Sequence, residues 1–212
     1  NVPLINLSKE PTLKYYDYDL PEILFRNSAI VNIPKIKTND ITTVSVSLKN
    51  LFGLVPDRHR AKYHREIDRV IVDLNTIIES RLVVVDGLVG MEGDGPISGK
   101  PVTMNTVVAG NTPVSVDSVV CHIIGVNPFD VSHVKLATEL GLGSMQIDSI
   151  EVVGESLYKA QRKFKLPSSI KLQNKMKYQI LERSDNMILR RSLDALRWAR
   201  RIIYENSHQK KQ

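Results

Sequence analysis

The sequence predicts an α/β fold, with a mixed or mostly parallel sheet and helices on both of its faces. Three observations lead to this expectation. Short apolar runs typical of buried strands alternate with segments whose apolar residues recur every three or four positions. The unbroken run of valines at 83–85 is typical of a strand covered on both faces. The composition, 42% hydrophobic and 25% charged, is that of a globular protein.

The first fifty residues contain few long patterns. Three prolines interrupt residues 1–26, which predicts an irregular N-terminal arm or a remnant of a strand. The apolar residues of 28–33 end at a proline and predict a short buried strand. The polar residues 35–40 predict a turn. Residues 43–54 are ambiguous between helix and strand, although their apolar spacing suits a helix.

The rest of the body alternates more regularly. Residues 61–80 are the clearest predicted helix, because isoleucine, valine and leucine recur on one face. Thr112 and Pro113 suit the start of another helix, and Asp130 that of a third. Five of the eleven glycines lie in residues 86–99 and predict a loop. Strands are predicted at 82–85, 106–109 and 150–154.

Charge divides the chain unevenly. Residues 1–156 hold 14 basic and 19 acidic residues, a net charge of −5. Residues 157–212 hold 15 basic and 4 acidic residues, a net charge of +11. We therefore predict an irregular arm (1–26), an α/β core (27–156) and a basic C-terminal extension (157–212), in which the apolar spacing of 185–206 indicates a helix.

Cysteine content and hydropathy exclude several classes of protein. The single cysteine, Cys121, lies in an apolar run and is interpreted as a buried small hydrophobic residue. One cysteine forms no intramolecular disulfide and holds no iron–sulfur cluster within this chain. Neither a signal peptide nor an apolar run near the roughly 18 residues of a membrane span is visible. We therefore expect a cytoplasmic protein without a membrane span.

Polar segments that follow predicted strands are the candidate site. Ligands of open α/β sheets bind beyond the carboxyl ends of the strands, where loops and helix N-termini converge. Lys35, Lys37 and Lys49 are suited to hold an anionic small molecule or to act as a general base. Solvated loop lysines are the alternative interpretation. Further candidate contacts to the ligand are polar side chains and glycines: Thr38, Asn39, Asn50, Gly87, Gly93 and Gly95.

A divalent metal is a second possibility at these loops. Carboxylate oxygens are the ligands that magnesium and calcium prefer. Four carboxylates are candidates: Asp86, Glu92, Asp94 and Asp117. Their spacing matches no diagnostic motif, and the glycines match neither the Walker loop nor the dinucleotide fingerprint. A loop without a ligand stays the structural alternative.

Three blocks of sequence resemble a known family. They are Val31 to Thr38 with Val44 to Gly53, then Asp86-Gly87 with Gly90 to Gly99, and finally Val108 to Asp117. In order and spacing they are similar to the "domain of unknown function 362" family over about residues 27–156. The resemblance implies a shared ligand-handling core, with the lysines and carboxylates named above lining one pocket. It supplies no substrate or reaction.

Two departures from the family pattern bear on function. Asn39 stands where family members usually have a histidine, so this chain could be a non-catalytic scaffold derived from the family. The upstream part with a Lys-Pro-Asn motif is absent, so a partner chain or a missing segment could complete the sheet. Some members carry a ferredoxin-like iron–sulfur module, which one cysteine cannot supply here.

The basic extension leaves a third function open. A nucleic-acid- or ribosome-associated protein would use such a segment against phosphates, with a steep dependence on salt. The candidate residues are arginines on the predicted C-terminal helix: Arg190, Arg191, Arg197, Arg200 and Arg201. No basic motif interleaved with aromatic residues supports them, and docking of the helix on the acidic body is the alternative.

Overall fold

We describe the chain from a computed structural model, which covers residues 3–6, 19–26, 29–56, 60 and 62–172. The predicted C-terminal helix and its arginines lie outside these ranges, and the division into arm, core and extension stays a prediction. None of the helices in these ranges is long and apolar enough to cross a membrane.

The N-terminal part contains two paired strands. β1 (Leu4–Asn6) and β2 (Asp19–Pro21) are antiparallel, and a 3-10 helix follows at Glu22–Phe25. Leu20 is fully buried and belongs to the main hydrophobic core. This part of the expected arm is therefore regular in structure, because burial of one leucine fixes the strand pair to the body.

Five strands form the main sheet: β3 (Ile30–Asn32), β4 (Lys35–Asn39), β5 (Thr43–Ser45), β6 (Ser80–Asp94) and β7 (Ser98–Gly110). β3 and β4 both run parallel to the long strand β6 and pair with successive parts of it. β5 is antiparallel to β4, and β7 is antiparallel to β6. The prediction of a mixed sheet with helices is confirmed.

The helices follow the predicted order with shorter bounds. They are α1 (Ser47–Asn50), α2 (Ile67–Ile77), α3 (Pro113–Ile123), α4 (Ser132–Glu139) and α5 (Leu157–Ala160). Short 3-10 helices lie at Leu51–Leu54, His64–Glu66, Pro128–Asp130 and Ile147–Ser149. Pro113 begins α3 as predicted, since its fixed φ and missing N–H suit the first helical turn.

Three predicted elements differ from the structure. Residues 35–40 were expected to form a turn, but most of them form β4, whose alternate residues Ile36 and Thr38 are buried. Residues 86–99 were expected to form a loop, but they make most of the tip of the β6–β7 hairpin. Residues 150–154 form no strand. For residues 35–40 and 86–99, the polar and glycine-rich composition led to the wrong prediction. Strand pairing depends on backbone hydrogen bonds, which polar residues and glycines also form.

The two faces of the sheet differ. Val83 and Val85 of β6 and Ile36 of β4 point to the helices and are fully buried. On the opposite face the described residues leave Leu82 40% and Val107 60% exposed. The expectation of helices on both faces is therefore met on one face by this part of the chain. In the valine run, Val83 and Val85 therefore belong to one buried core, and the run does not require that both faces of the sheet are covered.

Candidate functional site

Lys35 forms an ion pair at the surface. It lies in β4 opposite Asp86 of β6, and its Nζ is 2.5 Å from Oδ2 of Asp86. This hydrogen bond, with another from the backbone N–H of Leu88, holds the pKa of the Asp86 carboxyl below its ordinary value. Solvent and salt screen an exposed pair of this kind, so it contributes little to stability. The ammonium of Lys35 already has a partner.

Glu92 and Asp94 hold a later part of the chain against the tip of the long hairpin. Oε2 of Glu92 accepts a hydrogen bond from the backbone N–H of Lys165 at 2.8 Å. Oδ1 of Asp94 accepts one from the backbone N–H of Ser168, also at 2.8 Å. Between them, the N–H of Gly93 donates to the carbonyl of Lys165. Both carboxylates therefore have structural partners.

Asp117 lies in the interior, at the N-terminal end of α1. Its Oδ1 accepts hydrogen bonds from the N–H and Oγ of Ser47, and its Oδ2 accepts one from the N–H of Leu48. The first N–H groups of a helix have no intrahelical partner, so this carboxylate caps α1. Burial raises the pKa of Asp117 above its ordinary value, although these hydrogen bonds and His133 act in the opposite direction.

The four predicted carboxylate ligands do not come together. Asp86 pairs with Lys35, Glu92 and Asp94 bind backbone N–H groups, and Asp117 caps α1. Across the described ranges, no group of three or more histidine, cysteine, aspartate or glutamate side chains has a geometry that could hold a metal ion. A metal at these positions stays a prediction without a matching cluster in this part of the chain.

Two of the three predicted glycines allow strands to approach closely, whereas Gly93 has open space around it and a positive φ of 84°. A Cβ on Gly87 would lie 2.5 Å from the carbonyl oxygen of Thr106, and one on Gly95 would lie 2.4 Å from that of Thr38. Both distances are far below van der Waals contact, so only glycine fits. Thr38 itself donates from Oγ1 to the carbonyl of Gly93 at 2.8 Å, which joins β4 to β6. These residues position backbone rather than present free groups.

Asn39 organises the turn between β4 and β5. Its Oδ1 accepts hydrogen bonds from the N–H of Ile41 at 3.1 Å, and from the N–H and Oγ1 of Thr42 at 3.0 and 2.9 Å. Asparagine favours such turns because its side chain imitates a backbone carbonyl. Because two backbone N–H groups donate to it, the side-chain atom of Asn39 that faces the turn is the oxygen. The Nδ2 group of Asn39 has no acceptor among the described residues.

Lys49 reaches this turn from α1. Its side chain is partly buried, and its Nζ donates to Oγ1 of Thr42 at 3.0 Å. Burial lowers the pKa of Lys49 from 10.5 to about 8, which outweighs the opposite effect of Asp40 and Asp68. A water-poor environment disfavours the charged form of an amine. Lys49 therefore differs from ordinary surface lysines.

Lys37 is the second lysine near this turn. Its charge is close enough to contribute to the lowered pKa of Lys49. No ion pair or hydrogen bond joins its ammonium to the other described residues. Lys37, Asn39, Thr42 and Lys49 together are called the lysine site below. It unites two of the three predicted lysines with one predicted amide.

Other predicted and unpredicted residues complete the surroundings. Asn50 donates from Nδ2 to Oδ1 of Asn32 at 2.8 Å, which ties α1 to β3. Thr42, Asp40 and Asp68 were not predicted. Thr42 stands three residues after Asn39, a spacing that could have indicated the turn. Asp68 gave no signal, since charged residues are ordinary in the first turn of a helix such as α2.

A second buried ionisable group interacts with Asp68. Nδ1 of His133, which is fully buried, is 3.5 Å from Oδ1 of Asp68. Asp68 therefore acts on both His133 and the amine of Lys49, whose pKa it raises. The five arginines proposed for nucleic-acid binding lie outside the described residues.

Comparison with known proteins gives a family and little more. The family model described as "Domain of unknown function (DUF362)" matches residues 2–122. The Thylakoid-associated protein sll1697 of Synechocystis sp. is 28% identical over 120 residues, which cover 53% of this chain and 37% of that protein. The chain thus spans well under half the length of this relative. No solved structure matches. With its family match over more than half of the sequence, and the resemblance read from its motifs confirmed, the chain belongs to the DUF362 family of domains of unknown function.

Proposed function

We propose that this protein binds an anionic small molecule at the lysine site. The observation that carries the proposal is the pair Lys37 and Lys49: two amines near one turn, neither joined to a carboxylate by a direct ion pair among the described residues. Asp40 and Asp68 act on Lys49 through their charge, and its hydrogen-bond partner is the neutral hydroxyl of Thr42.

The electrostatics favour an anion at this position. Two unit charges 4 Å apart interact by about 4 kcal/mol at the effective dielectric constant of about 20 found near protein surfaces. Lys49 loses part of its hydration through burial, and the pKa of about 8 reflects that loss. A bound carboxylate or phosphate would restore a charged partner to the amine. The attraction between the anion and the amine would therefore offset part of the desolvation cost of Lys49.

Three donors are available for such a ligand. They are Nζ of Lys37, Nζ of Lys49 and Nδ2 of Asn39. Hydrogen bonds from charged donors to carboxylate or phosphate oxygens are about twice as strong as neutral ones. Asn39 contributes a donor that is neutral at all pH values, unlike the histidine that family members usually carry. Anion binding then depends on pH through the lysines.

A thermal-shift assay with sodium phosphate tests the proposal, with sodium chloride at matched ionic strength as the salt control. We expect phosphate to raise the melting temperature of the wild-type protein. Lys37→Met should abolish the shift, and the matched variant Lys35→Met should retain it, because Lys35 is already paired with Asp86. Magnesium chloride in the same screen tests the divalent metal.

Two results would count against the proposal. A folded wild-type protein that neither phosphate nor small carboxylates stabilise above the chloride control would favour the scaffold interpretation. Equal loss of the shift in Lys35→Met and Lys37→Met would indicate a general charge effect instead of a site.

Nucleic-acid binding is a second candidate function, favoured by the net charge of +11 in residues 157–212. Phosphate contacts release counterions, so affinity for RNA should fall steeply between about 50 and 200 mM salt. Filter binding of a structured RNA to the full chain, with the quintuple variant of Arg190, Arg191, Arg197, Arg200 and Arg201 to glutamine, measures this. Binding that is unaffected by the variant would remove this role for the arginines.

The cytoplasm is the proposed location, on the basis of the single cysteine. The relative named as thylakoid-associated suggests the surface of a membrane as the alternative. Fractionation of cells into soluble and membrane-bound protein separates the two.

A further inference from the structure

The two amines of the lysine site have different surroundings, and this difference points to different roles. Lys37 carries a charge with no direct partner among the described residues. Lys49 is held against a hydroxyl in partial burial. We propose that Lys49 is a nucleophilic amine that forms an imine with a small anionic aldehyde or ketone, whose carboxylate or phosphate Lys37 holds. This inference rests on the proposed anion site and names its substrate class.

A lysine attacks a carbonyl only when its nitrogen is uncharged. An ordinary lysine amine, with a pKa near 10.5, is almost entirely protonated at neutral pH. Burial lowers the pKa of Lys49 to about 8. Roughly a quarter of the molecules would then carry the neutral amine at about pH 7.5, a several-hundredfold gain over an ordinary lysine.

Hydrogen bonding orients the nitrogen. Oγ1 of Thr42 lies 2.9 Å from both Oδ1 of Asn39 and the carbonyl of Val44. These two atoms accept and cannot donate, so the one hydroxyl proton of Thr42 goes to one of them. Thr42 is left to accept from Lys49. One N–H of Lys49 is thus directed at Thr42, which leaves the other positions on the nitrogen for its remaining hydrogen and its lone pair.

The chemical step needs no co-reactant. The lone pair of Nζ attacks the carbonyl carbon, and the carbonyl π electrons move to oxygen. The two amine protons leave with that oxygen as water, and a carbon–nitrogen double bond remains. Asp40 and Asp68 are the carboxylates whose charges act on Lys49. No bond is oxidised or reduced.

Reductive trapping tests the inference on the full chain. Glyoxylate, an anionic aldehyde, is incubated with the protein and sodium cyanoborohydride, and mass spectrometry of peptides follows carboxymethylation of each lysine. We expect Lys49 to react at least tenfold faster than Lys35 and Lys165, which serve as internal controls. The rate at Lys49 should rise with pH, reach half of its maximum near pH 8 and then level off.

The variant Lys37→Met sharpens the result. It should slow the reaction of Lys49 with glyoxylate several-fold more than its reaction with uncharged acetaldehyde, which it slows only through the loss of the Lys37 charge that helps to lower the pKa of Lys49. Modification of Lys49 no faster than that of Lys35 would overturn the inference, and so would an equal effect of Lys37→Met on both aldehydes. Phosphate stabilisation that persists in that case keeps the anion site, so the two proposals fail separately.

Discussion

Each end of α1 lies beside an ionisable side chain in a partly or fully buried position, and the two side chains have different hydrogen-bond partners. At the N-terminal end, the carboxylate of Asp117 accepts three hydrogen bonds from Ser47 and Leu48. Toward the C-terminal end, the amine of Lys49 has the hydroxyl of Thr42 and the more distant charges of Asp40 and Asp68. Asp117 has several hydrogen-bond partners in the fold, whereas the amine of Lys49 has one hydrogen-bond partner among the described residues.

This difference separates structure from candidate function. Buried polar groups that are fully hydrogen-bonded rigidify a core. A buried ionisable group with an incomplete set of partners lowers stability, and strongly shifted pKa values cluster at functional sites. Asp117 therefore belongs to the framework that positions α1, and Lys49 to the proposed anion site.

The largest effect is expected at Asp117. Asp117→Ala removes three buried hydrogen bonds and leaves the first N–H groups of α1 unpaired, which should lower the unfolding free energy by about 3–5 kcal/mol. Asp117→Asn keeps acceptor oxygen and should cost about 1–2 kcal/mol. Urea denaturation measures both. Glu139→Gln, an exposed change in α4, is the matched control.

A loss below about 1 kcal/mol in Asp117→Ala would contradict the capping role, since each unsatisfied buried group costs about 1–3 kcal/mol.

Lys49→Met should have the opposite sign. Methionine is similar in length and carries no charge, so we expect the unfolding free energy at pH 7 to rise by about 1–2 kcal/mol, discounted for partial exposure of the amine. Between about pH 8 and 10.5, the unfolded wild-type chain binds a proton that the folded chain has released. The loss of stability that Lys49 causes in the wild-type protein therefore diminishes as pH rises across this window.

The measurement is the difference in unfolding free energy between Lys49→Met and wild type at several pH values. Cys121 is common to both proteins, so the raised pKa of its buried thiol cancels in the difference. The advantage of the variant should shrink from pH 8 to 10.5. A constant difference, or a variant less stable than wild type at pH 7, would show that the amine is not strained by burial.

The hairpin tip should give a smaller, local effect. Glu92→Gln with Asp94→Asn weakens the acceptors for the N–H groups of Lys165 and Ser168, with an expected loss of about 1–2 kcal/mol for the pair. Hydrogen exchange should accelerate at residues 164–168 and remain unchanged in α3. Uniform acceleration throughout the protein would mean that the two carboxylates support the whole fold.

The smallest effect belongs to Lys35. Lys35→Met breaks an exposed ion pair with Asp86, whose small contribution to the unfolding free energy should vanish in 1 M salt. Thermal unfolding with and without salt measures it. A loss of unfolding free energy as large as that of Asp117→Ala would place Lys35 in the structural framework with Asp117.

Periodicity predicted the helices and the mixed sheet, because burial of one face leaves a direct trace in residue spacing. The same reasoning missed β4 and the β6–β7 hairpin tip. Polar residues of β4 alternate with the buried Ile36 and Thr38, and glycines at 87 and 95 admit neighbouring strands. Their composition predicted loops for both segments. They form strands because of backbone hydrogen bonds, which side-chain polarity does not reveal.

The candidate site was predicted in part. Lysines near strand ends were recognisable, and Lys37 and Lys49 do lie near one turn. The sequence does not distinguish the roles of the carboxylates. Asp117 and Glu92 are both polar residues near predicted strands, but Asp117 caps a helix and Glu92 accepts a hydrogen bond from a backbone N–H. The lowered pKa of Lys49 depends on packing between segments, which sequence spacing does not encode.

The proposed anion site depends on the lowered pKa of the partly buried amine of Lys49. Carbon-13 NMR of the Lys49 Cε signal, assigned with the Lys49→Met variant, follows its titration directly in the folded protein. We predict a midpoint near pH 8 without ligand and a clear upward shift in saturating phosphate, since an anion favours the protonated amine. A midpoint near that of an ordinary lysine, or one that phosphate leaves unchanged, would contradict the account.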